Sequence, residues 1–446
     1  MLGPRLVIAG TSSGVGKTTV ATGLMAAFRR RGVRVASAKV GPDFIDPGYH
    51  SAATGRPGRN LDAWMCGASA IAPLAARAGE GCDLLVIEGV MGLFDGAADG
   101  GAASTADVAR LLDAPVILVV DARSMSQSVA ALVSGYRSFD PTIRLAGVIL
   151  NQVGSDNHEV MLREALTAID VPVLGVLRRN DNLVWRDRHL GLVPVVEQPE
   201  RVAASLDQLA ALIDSGCDLQ ALRQIAESAP SIDVGRLAQP QRVGSARIAV
   251  ASGPAFSFCY PDNLEMLAAA GAELIPFDPR TDPLPPYIGG LLAGGGFPEV
   301  FAAELSDNEP LLIDLHQRVG NGLAVWAECG GLLWLCRSLD HRRLAHVVDA
   351  EASMTERLHL GYRNARTLTV SPLGAVGTEF RGHEFHYSTV TPSGEALQFE
   401  SRFSNRTDGF ATTTLLATYL HVHLATRPDL AESFVRSALR INQICT

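Results

Sequence analysis

Short, wholly apolar runs alternate with helix-length stretches through the first half of the chain: RLVIAG, RVASAKV, DLLVIEG, PVILVVDA, LAGVILN and VPVLGVL. Runs this short with no polar alternation fit strands covered on both faces, and such strands belong to parallel sheets joined by crossover helices. Between the first two lies TTVATGLMAAFRRRG, which gathers arginines in its last turn and closes on Gly32, a residue free to take the left-handed cap conformation. That helix is expected to end near Arg31. From about Cys217 to Arg247 the pattern fades into polar, proline-containing sequence. A second α/β series follows: RIAVASG as a strand, NLEMLAAAG as a helix capped by Gly271, AELIPF and GGLLAGGG as strands, and GLAVWAECGGLLWLCRSL as strand, tight turn and helix. After Met354 the segments RTLTV and HEFHYSTVT alternate, as antiparallel strands do, before a last helix in DLAESFVRSAL. At 446 residues the chain exceeds one ordinary core, so two α/β domains are expected, residues 1–220 and 246–440, with a linker over 221–245.

Charge narrows the partners. A net charge of -9 supplies no global field for nucleic acid or an anionic membrane, so an anionic substrate must be met by local basic groups. MLGPRLVIAG runs straight into a strand without the layout of a signal peptide, and no apolar run reaches membrane-spanning length. Seven scattered cysteines with no CxxC pair point to reduced thiols in the cytoplasm rather than a zinc ribbon or a disulfide framework. A homodimer is compatible with this composition.

The turn after the first strand reads GTSSGVGKTT, Gly10 to Thr19. Backbone N–H groups around Gly14 and Gly16, with the positive end of the next helix, make an anion cradle for ATP. Lys17 can reach the terminal phosphates, Thr18 can ligate Mg²⁺, and Thr19 completes the string. The leading glycine falls one residue early, as in divergent P-loops. Two further strand ends carry acids suited to a metal: KVGPDFIDPGYH brings Lys39, Asp43 and Asp46, and IEGVMGLFDG brings Glu88 and Asp95. Asn151, ending GVILN, can read an adenine edge or cap its turn.

The second half holds a different chemistry. Cys329 in WAECGGLLWL sits where a strand meets a helix, the layout of a nucleophile elbow in which the helix N-terminus favours a thiolate. Gly294 to Gly296 end an upstream strand and can offer N–H groups to an oxyanion. YLHVHL supplies His421 and His423, on one face if extended, as candidate bases. RGHEFHYS places His383, Glu384 and His386 along a strand, with Glu384 expected to point away from both histidines.

KVGPDFIDPGYH, EGVMGLFDG, AECGGL and RGHEFHYS, in this order, resemble the cobyrinate a,c-diamide synthase family, which includes the hydrogenobyrinate enzymes of cobalamin biosynthesis. The N-terminal part looks like a dethiobiotin-synthetase-type P-loop ATPase domain, and the C-terminal part like a flavodoxin-like, cobalamin-type class I glutamine amidotransferase domain. The resemblance implies ATP- and glutamine-dependent amidation of two corrinoid carboxylates. Cys329 would attack glutamine with His421 as base, and Asp95 would be catalytic. Gly14, Gly16, Lys17, Thr18, Thr19, Lys39 and Asn151 would bind ATP, and Thr18, Asp43, Asp46 and Glu88 would hold Mg²⁺. Class I amidotransferases commonly carry a glutamate two residues after the histidine; here that position is His423. The alternatives are a,c-diamidation of another metal tetrapyrrole, or a partitioning or switch ATPase that makes no amide.

Overall fold

The computed structural model forms two compact units, Met1–Arg236 and Leu237–Thr446. It describes residues 1–97, 100–179, 187–188, 191–192, 199–401 and 405–442. Cys445 lies outside the described residues, and the other six cysteines are free thiols.

The first unit is built on seven parallel strands: β1 (Arg5–Gly10), β2 (Val35–Val40), β3 (Arg59–Leu61), β4 (Leu84–Glu88), β5 (Val116–Asp121), β6 (Leu145–Val153) and β7 (Val173–Arg178), in the order β3-β2-β4-β1-β5-β6-β7. Six of them are the six apolar runs. The edge strand β3 escapes the pattern because RNL is three residues long and carries one leucine. β1 runs between β4 and β5 and is buried at every position, which is why RLVIAG shows no alternation. Helix α1 (Lys17–Arg30) packs Val20, Leu24 and Phe28 onto Leu6 and Ile8. It ends at Arg30, followed by Gly32 at φ 79°. Each such side chain contributes roughly 1.5–3 kcal/mol by burial, so the apolar face of α1 anchors the phosphate loop that precedes it.

The stretch from 221, read as linker, opens inside a helix. α5 spans Leu219–Glu227, following α2 (Ile45–Thr54), α3 (Thr105–Leu111) and α4 (Ser128–Phe139) among the helices needed here. Leu219, Leu222 and Ala226 belong to the core of the first unit. Their helical spacing is diluted by the glutamines and arginine between them.

In the second unit β8 (Ala246–Ala251), β9 (Ala272–Phe277), β10 (Gly290–Ala293), β11 (Ala324–Glu328) and β14 (Leu415–Thr418) pair in parallel in the order β9-β8-β10-β11-β14, with a short antiparallel edge at Phe410–Ala411. A second, mainly antiparallel sheet is dominated by β12 (Glu351–Thr367) and β13 (Glu379–Thr391), and β15 (His421–Val422) joins β13. β12 begins well before RTLTV, of which only Arg366 and Thr367 lie in the strand. A register shift between Met354 and His359 breaks the alternation that would have revealed it. Helices α6 (Pro261–Ala270), α7 (Gly330–Leu335) and α8 (Pro428–Asn442) complete the elements used below, and Gly271 caps α6 at φ 114°. No described helix is long and apolar enough to cross a membrane.

Candidate active site

Two groups of side chains stand at strand ends, one in each unit. In the first, Gly14 and Gly16 take positive φ, at 79° and 98°, and turn the loop from β1 into α1. Lys17 donates to the carbonyl of Ser12 at 3.0 Å. Burial, then the nearby Lys39 ammonium, lowers Lys17 to about 8. Thr18 Oγ1 donates to Glu88 Oε1 at 2.6 Å and lies 3.4 Å from Asp46 Oδ2, while Thr19 is half-buried in the first turn of α1.

Lys39 joins the two acids: its Nζ lies 2.5 Å from Asp46 Oδ2 and 2.8 Å from Glu88 Oε1, and it donates to the carbonyl of Gly89. Burial opposes the Glu88 charge, but Lys39 and His50 outweigh it and hold the carboxyl below its ordinary range. Burial and the neighbouring Glu88 push Asp46 well above its ordinary value. The sequence reading missed His50, which is wholly buried with Nε2 2.6 Å from Glu88 Oε2. Its signal was the last letter of GPDFIDPGYH.

Asp43 has a local task. Its carboxylate accepts the N–H groups of Ile45 and Asp46 at 3.1 and 3.0 Å, so it opens α2 and aims Asp46. Asn151 also has local partners. Its Nδ2 donates to the carbonyl of Val15 at 3.0 Å and its Oδ1 accepts the N–H of Gln152, so the amide braces the phosphate loop. Asp95 is exposed on the loop after β4, with Oδ2 accepting the N–H of Gly92 at 2.9 Å. That loop is pinned by Leu93 N–H to Gly10 and by Thr105 to both backbone groups of Val90. Phe94, beside Asp95, stacks on Tyr136, whose hydroxyl donates to the carbonyl of Thr11.

In the second unit Cys329 joins β11 to α7 at φ 49° and ψ −103°, the strained turn expected of an elbow. Of the two glycines after it, Gly331 is sterically required, since a Cβ there would stand 2.1 Å from the carbonyl of Ala293, and Gly330 is tightly placed, since a Cβ there would stand 3.0 Å from Gly296 N. Of the three glycines ending β10, Gly295 spends its N–H on Phe258. Gly295 also leaves room for His421, since a Cβ there would lie 2.5 Å from the imidazole Cε1. Burial lowers the His421 pKa, but interactions with Cys329 and Glu328 reverse this and raise it to about 10. Glu328 Oε2 lies 3.5 Å from His421 Nδ1.

His423 has other neighbours. Its Nδ1 accepts the N–H of Ala425 at 3.3 Å, its Nε2 is 4.0 Å from Asp262 Oδ2, and its ring packs on Tyr260. Along β13, His383 and His386 are three residues apart and so fall on opposite faces. Glu384 therefore shares a face with His386, at 3.9 Å, and points away from His383 alone rather than from both histidines. His383 sits edge-on to Tyr362 and pairs in register with His421, while the Phe385 carbonyl lies 4.0 Å from Cys329 Sγ. Burial pushes His383 down to about 3.

A parallel-sheet unit with a phosphate loop, followed by one with a cysteine elbow and a histidine, defines an ATP-dependent glutamine amidotransferase. Residues 6–192 match the CobQ/CobB/MinD/ParA nucleotide binding domain, and residues 247–429 match the CobB/CobQ-like glutamine amidotransferase domain. The hydrogenobyrinate a,c-diamide synthase of Streptomyces coelicolor is 49% identical, with 97% of each chain covered. That of Thermobifida fusca is 47% identical over 97% of this chain and 96% of its own. The cobyrinate a,c-diamide synthase of Dehalococcoides mccartyi strain CBDB1 is 42% identical, covering 97% and 98%. The chain belongs to this family of cobyrinate and hydrogenobyrinate a,c-diamide synthases.

Proposed function

We propose that the protein converts the a and c side-chain carboxylates of cobyrinate or hydrogenobyrinate into amides, using ATP and glutamine, in the cytoplasm. The observation that carries this reading is the Cys329 elbow, with His421 seated on Gly295, in a chain whose other unit holds a complete phosphate loop. A switch ATPase has no use for the thiol.

A carboxylate resists ammonia because oxide is a poor leaving group. One carboxylate oxygen therefore attacks the γ-phosphorus of ATP, giving an acyl phosphate and ADP; ammonia then displaces phosphate. Lys17 and the loop N–H groups hold the phosphates. The hydroxyl of Thr18 and the carboxylates of Asp46 and Glu88 are hard-oxygen groups that would hold Mg²⁺. Bound there, the ion supplies charge neutralisation at the phosphates. Lys39 balances the two acids, and exposed Asp95 is the group available to take the proton released when ammonia adds.

Ammonium is mostly protonated at neutral pH, so the second unit makes ammonia in place. Sγ of the Cys329 thiolate bonds to the glutamine carboxamide carbon. The N–H groups where β10 ends and α7 begins would take up the oxyanion charge. The C–N bond breaks as the His421 imidazolium gives its proton to the leaving ammonia. Water, deprotonated by His421, hydrolyses the thioester to glutamate and regenerates the thiol.

The test incubates the protein with ATP, Mg²⁺, glutamine and each macrocycle and follows product mass. Two amidations are expected; four would overturn the reading, and so would none with either macrocycle.

A further inference from the structure

The position two residues after the histidine, where class I amidotransferases commonly carry a glutamate, is His423, and its ring is engaged with Ala425, Asp262 and Tyr260. We propose that Glu328, the residue immediately before the nucleophile, is the positioning carboxylate of the glutaminase centre and holds the His421 imidazole through Nδ1. This rests on the glutaminase reading above.

Glu328 ends β11, a strand otherwise made of AVWA, and is 4% exposed. A carboxylate in such a place is costly unless it is engaged. Its two oxygens divide the work. Oε1 accepts the N–H of Val422 at 3.0 Å, fixing the backbone next to His421, and Oε2 faces His421 Nδ1 at 3.5 Å. Resting enzymes often hold such contacts long and tighten them with substrate. Two further bonds lock the same segment: Asn263 Nδ2 donates to the carbonyl of Val422 at 2.6 Å, and the N–H of Leu424 donates to Asn263 Oδ1 at 2.7 Å. The ring thus lies between Glu328 and Gly295, with Nε2 left for the thiol.

The other titratable groups around this centre are poor substitutes. His383, on β13, is held neutral by burial. Cys259, before α6, is pushed up to about 12 by burial and then by Glu328 itself. Tyr419, next to β15, is raised by burial and bonded to Ser388. Glu328 therefore supplies the negative charge that favours the imidazolium and fixes the tautomer with Nδ1 protonated.

Two variants separate an electrostatic role from a merely structural one. Glu328→Gln can still accept the Val422 N–H but carries no charge; Glu328→Ala loses both. Glutaminase kcat is expected to fall on the order of 10²-fold in both, with glutamine KM little changed. In Glu328→Gln the alkaline limb of kcat/KM should move to lower pH by about 1–3, because an opposite charge near a histidine raises its pKa by that order. Ammonia-dependent amidation, run in the same samples, reports on the integrity of the chain. Wild-type kcat and an unmoved limb in Glu328→Gln overturn the proposal, whatever Glu328→Ala does. Glutaminase activity surviving in Cys329→Ala instead overturns the glutaminase reading on which it stands.

Discussion

His50 Nε2 lies 2.6 Å from Glu88 Oε2, and neither side chain has any solvent exposure. The imidazole holds one carboxylate oxygen from behind while Thr18 and Lys39 engage the other. Ligands fixed in this way bind a metal better than free ones, since an outer partner commonly accounts for roughly 10–100-fold in affinity. His50→Ala should raise the Mg²⁺ concentration needed for ATP binding by roughly tenfold and lower stability by about 1.5–3 kcal/mol. Calorimetric titration of nucleotide at stepped Mg²⁺ checks the first, and urea unfolding the second.

Lys39 is the only cation bonded to both Asp46 and Glu88 among the described residues. Lys39→Met leaves the buried Glu88 facing the half-buried Asp46 and should cost about 3 kcal/mol without divalent ion. Mg²⁺ should then raise the melting temperature of the variant more than that of the wild type, because the ion replaces the missing charge. Equal shifts in both proteins would remove Lys39 from this role.

Asn151 decides between two tasks. As a brace for Val15, its loss should raise KM for ATP about fivefold, the equivalent of roughly 1 kcal/mol for one hydrogen bond, and should raise that for GTP equally. An adenine reader would instead lose discrimination between the two nucleotides in Asn151→Ala. Paired KM measurements distinguish them.

These residues also mark where the sequence was legible. Gly14, Gly16, Lys17 and Thr18 are neighbours along the chain, and so are Cys329, Gly330 and Gly331; chemistry built from adjacent letters shows in the letters. His50 and Glu88 are 38 positions apart, and Asn151 and Val15 are 136 apart. Only strand order brings each pair together, and periodicity does not reveal strand order. Glu328 was hidden differently, because an acid closing a buried strand reads as the end of that strand. The seven-strand sheet was legible in six of its members, and the missing β3 is too short for any pattern.

Glu384 anchors the hairpin beside the thiol. Arg363 Nε lies 2.6 Å from Oε2, and Arg406 pairs with Oε1. Burial opposes its charge, but the partners hold the carboxyl down to about 2. Because that is below the unfolded value of roughly 4.3, the contribution is fully present above it and is lost as pH falls through about 2. Glu384→Gln should cost about 2–4 kcal/mol at neutral pH, less than a fully buried pair because the Arg406 side chain is 35% exposed. Its stability should also fall less steeply than wild type below about pH 4, as urea midpoints measured across the acid range would show.

The two units should fail independently. Cys329→Ala deletes the nucleophile at the elbow and leaves Thr18, Lys39, Asp46 and Glu88 in the other unit untouched. Glutamine-dependent synthesis should vanish, while added ammonia should still be used, best at alkaline pH where more of it is unprotonated. His421→Ala should share this phenotype less completely, since a helix N-terminus alone favours some thiolate. Glu88→Gln should abolish synthesis from both nitrogen sources, because acyl phosphate formation precedes either. Asp95→Asn should do the same while keeping nucleotide binding, since the Asp95 carboxylate accepts the N–H of Gly92, whereas Thr18 and Lys39 engage Asp46 and Glu88. Parallel assays with glutamine and with ammonium chloride across pH separate the two thiol-site variants from the two acid variants, and nucleotide binding measured by calorimetry separates Asp95→Asn from Glu88→Gln. Full glutamine use by Cys329→Ala would remove the amidotransferase role from the second unit, and normal ammonia-dependent turnover in Glu88→Gln would remove the phosphate site from the first.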